Sequence, residues 1–409
     1  MMARAEKLAR SRRLDGLQMS ERIYLDWNAT APLRPEARAA MIAALDHLGN
    51  PSSVHHEGRA ARHLIEQARE QVAALVGAEP RNVVFTSGGT EANLMALSPA
   101  LETLENKSGF DRLMISAVEH ASVRAGGSFA SHQVEEIPVT PDGVVDIGAL
   151  KCRLTELQRL GARAPLVSIM AANNETGVIQ PVEAAAAALH AIGGLLHVDA
   201  VQVAGRIAFD ISRSGADLVT VSAHKLGGPK GVGALIRRSS ALHLAEPLLR
   251  GGGQERGARA GTENVAGIAG FGAAATSAIA TMAVDQERMR SLHDQLEAGL
   301  ERGPTVVFGR NVARLPNTSL FAAPGLRAET ALINLDLAGF ALSSGSACSS
   351  GKVAASHVLA AMGVPGNLSS GAIRLSIGPS TCENEIDFFL NAWMKLVAGL
   401  SKRKRGLAA

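Results

Sequence analysis

The chain has 409 residues, of which 46% are hydrophobic and 19% charged, which excludes a disordered polymer and suits one large domain plus a smaller one. The formal net charge is +3 and aromatics are 3%, so neither a nucleic-acid surface nor a base-stacking platform is implied. Three cysteines, Cys152, Cys348 and Cys382, are too few and odd in number for a disulfide framework and point to a reducing, cytoplasmic setting.

Residues 1–22 carry Arg4, Lys7, Arg10, Arg12, Arg13 and Arg22 without the apolar run of a secretory signal. They read as a disordered leader, with Met19 a candidate start and a basic targeting segment the alternative. Helix-like stretches at 35–48, 55–76, 91–101 and 181–192 alternate with apolar runs at 83–86, 113–116, 166–171, 195–198, 218–222 and 232–236. Those runs are apolar on both faces, as buried parallel strands are, and the alternation predicts an α/β domain with helices covering a mainly parallel sheet. No run is expected to span a bilayer, since the richest, 182–198, is broken by Glu183, His190 and paired glycines. A long helix over 262–302 follows. Short strands near 305–308, 318–321, 341–343 and 373–377 then predict a smaller α+β domain. The boundary is placed near residue 280, giving a large domain over 23–280 and a small one over 281–409. The basic run Lys402-Arg403-Lys404-Arg405 reads as a solvated tail.

The residues that carry chemistry sit mostly at strand ends, where ligands of such sheets bind. In Thr86-Ser87-Gly88-Gly89-Thr90 a strand ends, glycines turn and a helix begins, which is either a phosphate cradle or an ordinary capped helix start. His120, after the run at 113–116, is able to stack on a ring or shuttle protons, or is structural. Asn173-Asn174-Glu175-Thr176-Gly177 offers amides to a ring substituent, or is a plain turn. Asp199 ends an apolar strand, where an unpaired carboxylate costs free energy; it suits a pyridinium partner or a helix cap. Ser222-Ala223-His224-Lys225 puts a lysine just past a buried strand, the residue type that forms Schiff bases with aldehydes, with a surface turn as the alternative. The glycine-rich stretch from Arg250 leads to Thr262 and is either a flexible basic linker or a phosphate-presenting loop. Cys348 stands in a loop of small polar residues, Ser343-Ser344-Gly345-Ser346-Ala347-Cys348-Ser349-Ser350-Gly351, where a thiol ionises more easily than in an apolar core. Arg374, in a strand, is suited to clamp a carboxylate bidentately. Cys152 and Cys382 lie in helix-like contexts and are read as non-catalytic.

In this order and spacing the motifs resemble the cysteine desulfurases of the nitrogen-fixation and iron–sulfur-cluster type, within the class V aminotransferase-like family. The match runs from about Ile23 to the region of Phe389. The resemblance implies the aspartate-aminotransferase-like fold (fold type I), pyridoxal 5'-phosphate as cofactor and a homodimer. It implies that Lys225 forms the Schiff base and moves the Cα proton, that Asp199 pairs with the ring nitrogen, and that Gln202 reaches the ring hydroxyl. Asn174 would contact the ring side, and His120 would stack over the ring and serve as an acid/base. Gly89, Thr90, Ser222 and His224 would hold the phosphate, with Thr262 arriving from a second subunit. Arg374, helped by Asn174, would bind the carboxylate of L-cysteine. Cys348 would take the substrate sulfur as a persulfide, leave alanine, and pass the sulfur to an acceptor or iron–sulfur scaffold protein. The stretch 349–371 suits a mobile arm carrying the sulfur outward.

The pattern departs at three places. Trp27 stands where a smaller or tyrosine-like residue is expected, which would alter the pocket mouth. Lys352-Val353-Ala354-Ala355 replaces the expected Glu-Pro-containing segment before Ser356, which bears on scaffold docking. The leader lies outside the pattern. A selenocysteine lyase and a non-catalytic sulfur-assembly subunit are the rivals; a nucleotide-binding oxidoreductase lacks its glycine fingerprint. Neither a nucleic acid nor a membrane is expected as partner.

Overall fold

The structure, a computed structural model, describes residues 22–104, 106–345 and 355–406, with side chains through residue 399. The leader apart from Arg22, Cys348 and residues 352–354, each read above from the sequence, therefore lie outside the described residues. The centre of the molecule is a seven-stranded sheet. Its strands in chain order are β1 (Val83–Thr86), β2 (Leu113–Ser116), β3 (Val134–Ile137), β4 (Leu166–Met170), β5 (Leu195–Asp199), β6 (Leu218–Ser222) and β7 (Gly233–Arg237). The spatial order is β1-β7-β6-β5-β4-β2-β3. Strands β6, β5, β4, β2 and β3 pair in parallel, whereas β7 runs antiparallel to both neighbours. The expectation that every apolar run marks a parallel strand is thus corrected at β7. Burial on both faces makes a strand apolar whichever way it runs.

The faces of this sheet are packed by different helices. Val83, Phe85, Val167, Ile169, Leu196, Val198, Val219 and Val221 point into one core together with α1 (His56–Leu75), α2 (Ile147–Arg159) and α3 (Val182–His190). The alternate residues Val84, Leu113, Ile115, Leu166, Leu195 and Leu218 point into another, beneath the helix Gly89–Ala96. This two-residue alternation is the strand period.

Helix α4 (Val265–Leu300) contributes Ile268, Phe271, Ala274 and Ala278 to the first core and Met289, Leu292, Leu296 and Leu300 to a separate C-terminal core. By length and composition it is apolar enough to cross a membrane, contrary to expectation; half of its most apolar window is buried inside the fold, as in a core helix. A four-stranded antiparallel sheet follows: β8 (Val306–Val307), β9 (Thr318–Ala322), β10 (Ser343–Ser344) and β11 (Ile373–Ser376), in the order β8-β9-β11-β10. Phe321, Phe389 and Trp393 pack edge-on or stacked in its core, the closest ring centroids 5.0 Å apart. The N-terminal strand Ile23–Tyr24 pairs in parallel with Phe340–Ala341, and Leu25 joins this C-terminal core. The following loop thereby starts on the smaller sheet and crosses to the larger one.

Candidate active site

The C-terminal ends of β1, β2, β4, β5 and β6 open on one cavity of about 310 Å³, with β11 and the loop after Leu25 closing the other side. That volume lies in the range typical of small-ligand sites. Its lining includes Gly89, Thr90, His120, Asn174, Asp199, Gln202, Ser222, His224, Lys225 and Arg374. Each of these was read from sequence, and the fold collects them from six separate segments. Thr262 is exposed and does not line this cavity. Cys348 lies outside the described residues, while Cys152 and Cys382 are free and exposed.

Lys225 follows β6 on a short 3-10 turn, which turns its side chain back across the strand end. Its Nζ donates to the carbonyls of Asn28 at 2.6 Å and Ala29 at 2.9 Å. Asp199 ends β5 and is 7% exposed. Its Oδ1 accepts from the Val201 N–H at 3.0 Å and its Oδ2 from Asn93 Nδ2 at 2.9 Å, so both oxygens are fixed. Asn93 Nδ2 also donates to Ser122 Oγ at 2.9 Å, and Ser122 Oγ meets His120 Nδ1 at 2.8 Å. The Ser122 backbone N–H donates to the same Nδ1, at 3.2 Å, so in the neutral imidazole the proton sits on Nε2.

Arg374 is 3% exposed. Its Nη2 donates to Asp26 Oδ1 at 2.8 Å and its Nη1 to the Asn174 carbonyl at 3.0 Å, while its buried Nε has no partner among the described residues. A buried donor without a partner is costly. Gln202 is held by Arg206, whose Nη1 donates to its Oε1 at 2.5 Å, leaving Gln202 Nε2 directed to the Asn28 carbonyl at 3.2 Å. His224 is driven by burial, and then by the charges of Lys225, Lys230 and Arg206, down to about 4, so it is neutral and able to donate from one ring nitrogen. Glu119 is fully buried; its Oε1 accepts from the Met170 N–H, and burial, with Asp199 nearby, holds it well above the ordinary carboxylate range.

These features fit a phosphorylated pyridine aldehyde. A Cβ on Gly89 would come within 3.2 Å of Val201 Cγ2 and 3.4 Å of Ser222 Cβ, so glycine keeps open the space at the helix start where a phosphate is received. Asp199 would supply the anion for a ring nitrogen, Lys225 the amine for the aldehyde, and Arg374 a cation on the same cavity wall for a substrate carboxylate.

Sequence reasoning missed Asn28, Asn93, Ser122 and Arg206. Asn93 was legible in principle, because it lies one helical turn past Gly89 and so shares its face. Two further expectations are corrected. Trp27 does not line this cavity; it borders a second one of about 260 Å³ with Arg34 and Gly378, and a Cβ on Gly378 would fall 2.0 Å from its ring. Nor is the whole of 349–371 an arm. From Ser356 the chain is built into the fold, with Val358 and Leu359 buried against Val118 and Leu320, and His357 Nε2 2.9 Å from the Glu119 carbonyl.

Known proteins fall in line with this geometry. The profile described as aminotransferase class-V matches residues 23–389. A cysteine desulfurase of Cereibacter sphaeroides is 44% identical over 92% of this chain and 96% of its own length. The cysteine desulfurase IscS of Dictyoglomus turgidum is 40% identical over 93% and 96%. A NifS-like protein of Rickettsia africae superposes with a TM-score of 0.82 at 35% identity, covering 92% of this chain and 99% of its own. The chain belongs to the class V aminotransferase family, in its NifS-like cysteine desulfurase branch, and pyridoxal 5'-phosphate is its cofactor.

Proposed function

We propose that the protein converts L-cysteine to L-alanine and transfers the sulfur as a persulfide on Cys348. The observation that carries this is the meeting of Lys225, Asp199, His120 and Arg374 around one cavity. When bound there, the cofactor supplies an electron-poor ring that accepts the charge left by the departing Cα proton. Gly89, Thr90, Ser222 and His224 hold its phosphate. Asp199, fixed by Asn93 and Val201, holds the ring nitrogen protonated, and His120 covers the ring face. Arg374 binds the substrate carboxylate and so aims the Cα–H at Lys225. Lys225, once deprotonated, takes that proton and returns it. The Cys348 thiolate then attacks the substrate sulfur. An S–S bond forms as the C–S bond breaks, and its electron pair stays with the three-carbon fragment, which takes up a proton and leaves as alanine.

The acceptor of the persulfide is an iron–sulfur scaffold or other sulfur-carrier protein, and the protein acts as a cytoplasmic homodimer. Thr262, exposed at the end of the glycine-rich loop, would reach the phosphate of a second subunit. The test is release of alanine and sulfide from L-cysteine with a reductant present. Equal amounts from the wild type, with turnover lost and the visible cofactor band kept in Cys348→Ala, support the reading. A coloured protein that turns over equally well without Cys348 refutes the persulfide step.

A further inference from the structure

Glu175 follows the two asparagines of the strand-end turn but does not line the cofactor cavity. It is 3% exposed. Its Oε2 accepts the hydroxyl of Ser356 at 2.6 Å, and Ser356 Oγ in turn accepts from the Leu359 N–H at 3.1 Å, capping the helix His357–Ala361. Gly345 leans on the same carboxyl from the other side. A Cβ there would lie 2.9 Å from Glu175 Oε2 and 3.8 Å from Ser356 Cβ, a fit open to glycine alone without displacement. Gly345 and Ser356 are therefore neighbours in space, both close to one carboxyl oxygen. Residues 346–355, with Cys348 among them, run between these two points in sequence.

The same residue is tied to the substrate wall. Asn174, its chain neighbour, lines the cavity and accepts from Arg374 Nη1 through its carbonyl. A buried carboxyl is costly. Burial pushes Glu175 up to about 7, against the Ser356 hydrogen bond and the charges of Arg374 on β11 and His120 on the loop after β2.

We propose that Glu175 is a positioning residue for sulfur transfer: its carboxyl holds Ser356 by a hydrogen bond and fills the space beside Gly345, and so fixes the two points from which the Cys348 segment departs. The inference rests on Cys348 as the sulfur acceptor. Glu175 touches neither cofactor nor substrate and acts through Gly345 and Ser356.

The experiment compares holoenzyme wild type, Glu175→Gln and Gly345→Ala, all in a Cys152→Ser, Cys382→Ser background so that iodoacetamide reports on Cys348 alone. In both variants the cofactor band and the KM for L-cysteine stay within about twofold, and kcat falls about 10- to 100-fold, the effect of moving a reacting group by roughly an ångström. The Cys348 alkylation rate shifts about tenfold, and a limb near neutrality in the wild-type kcat profile disappears in Glu175→Gln. A kcat within twofold of wild type overturns the proposal, as does a fall in kcat matched by loss of the band and of melting temperature, which marks a merely structural role. If the wild type forms no alanine from L-cysteine, the desulfurase reading fails instead. The alkylation comparison then still decides, because equal rates in all three proteins overturn the role of Glu175.

Discussion

Replacing Arg374 with lysine separates substrate binding from cofactor chemistry. The guanidinium serves two partners, Asp26 Oδ1 and the Asn174 carbonyl, while lining the cavity. An ammonium has one head, and Asp26, at 16% side-chain exposure, competes for it with any incoming carboxylate. Losing a charge-assisted hydrogen bond in a buried site costs about 2–3 kcal/mol. At about 1.4 kcal/mol per decade that is a 30- to 150-fold fall in kcat/KM, on the order of the values measured for such losses. The substrate makes this contact before and during reaction alike, so the loss falls on KM with kcat little changed. The assay is alanine formation from L-cysteine over a wide concentration range, with the visible band recorded to show that the cofactor is retained. A variant with unchanged KM and a reduced kcat would refute Arg374 as the carboxylate clamp and make it a group acting only in the transition state.

Arg69 and Glu255 form a bidentate pair at 2.7 and 2.9 Å, both nearly fully buried, and hold the glycine-rich loop against α1 while Glu255 sits at a left-handed φ of 47°. Glu255→Ala strands the arginine and should cost about 3–5 kcal/mol in urea unfolding, whereas Arg69→Met with Glu255→Ala should cost clearly less than the sum of the single changes. Asn93→Ala removes the donor to Asp199 Oδ2 and should weaken cofactor binding about tenfold in titrations of the apoprotein, with KM for cysteine unchanged. His197 bridges Ser168 and Thr220 and is held by burial down at about 4, so the unfolded chain binds a proton that the folded one refuses between about 6.5 and 4. Stability should therefore fall on acidification through that window by about 3 kcal/mol, and His197→Gln should flatten the fall in urea midpoints measured from pH 7 to pH 4.5. Glu175 acts in the opposite sense, because its raised carboxyl favours the fold at low pH and loses that advantage as pH rises through about 7, so Glu175→Gln should steepen the acid loss.

The strands of the large sheet were legible because both faces are buried. The expected runs at 83–86, 113–116 and 218–222 coincide with β1, β2 and β6. The one strand not expected, β3, is an edge strand carrying Glu135 and Glu136, with a single fully buried residue, so composition gave no apolar run to find. Strand direction was not legible, since burial alone fixes the pattern of β7. Among site residues, those adjoining a glycine turn or a strand end stood out. Arg206 and Asn28 did not, because their significance lies in contacts 178 residues apart in sequence, Arg206 Nη1 to Asn28 Oδ1 at 2.7 Å. No local pattern encodes a pairing of that separation.

That long-range pairing also explains how the pocket tolerates its charge. Lys225, Arg206 and Arg374 converge on one side, and Asp26 pairs with Arg374 through a carboxylate. Arg206 instead donates to neutral oxygens of Asn28, Gln202, Trp27 and Lys225, and burial, with Arg374 nearby, lowers it to about 9. A cation held this way is poorly compensated, and the deficit is what an anionic ligand removes on binding. The phosphate and ring oxygen of the cofactor and the carboxylate of the substrate are such anions. The loop after Leu25 supplies two of these four partners, Trp27 and Asn28, from a segment anchored in the C-terminal core, while Gln202, Arg206 and Lys225 follow strands of the large sheet. The charge that draws ligands in and the contact that joins the two cores are therefore the same set of hydrogen bonds.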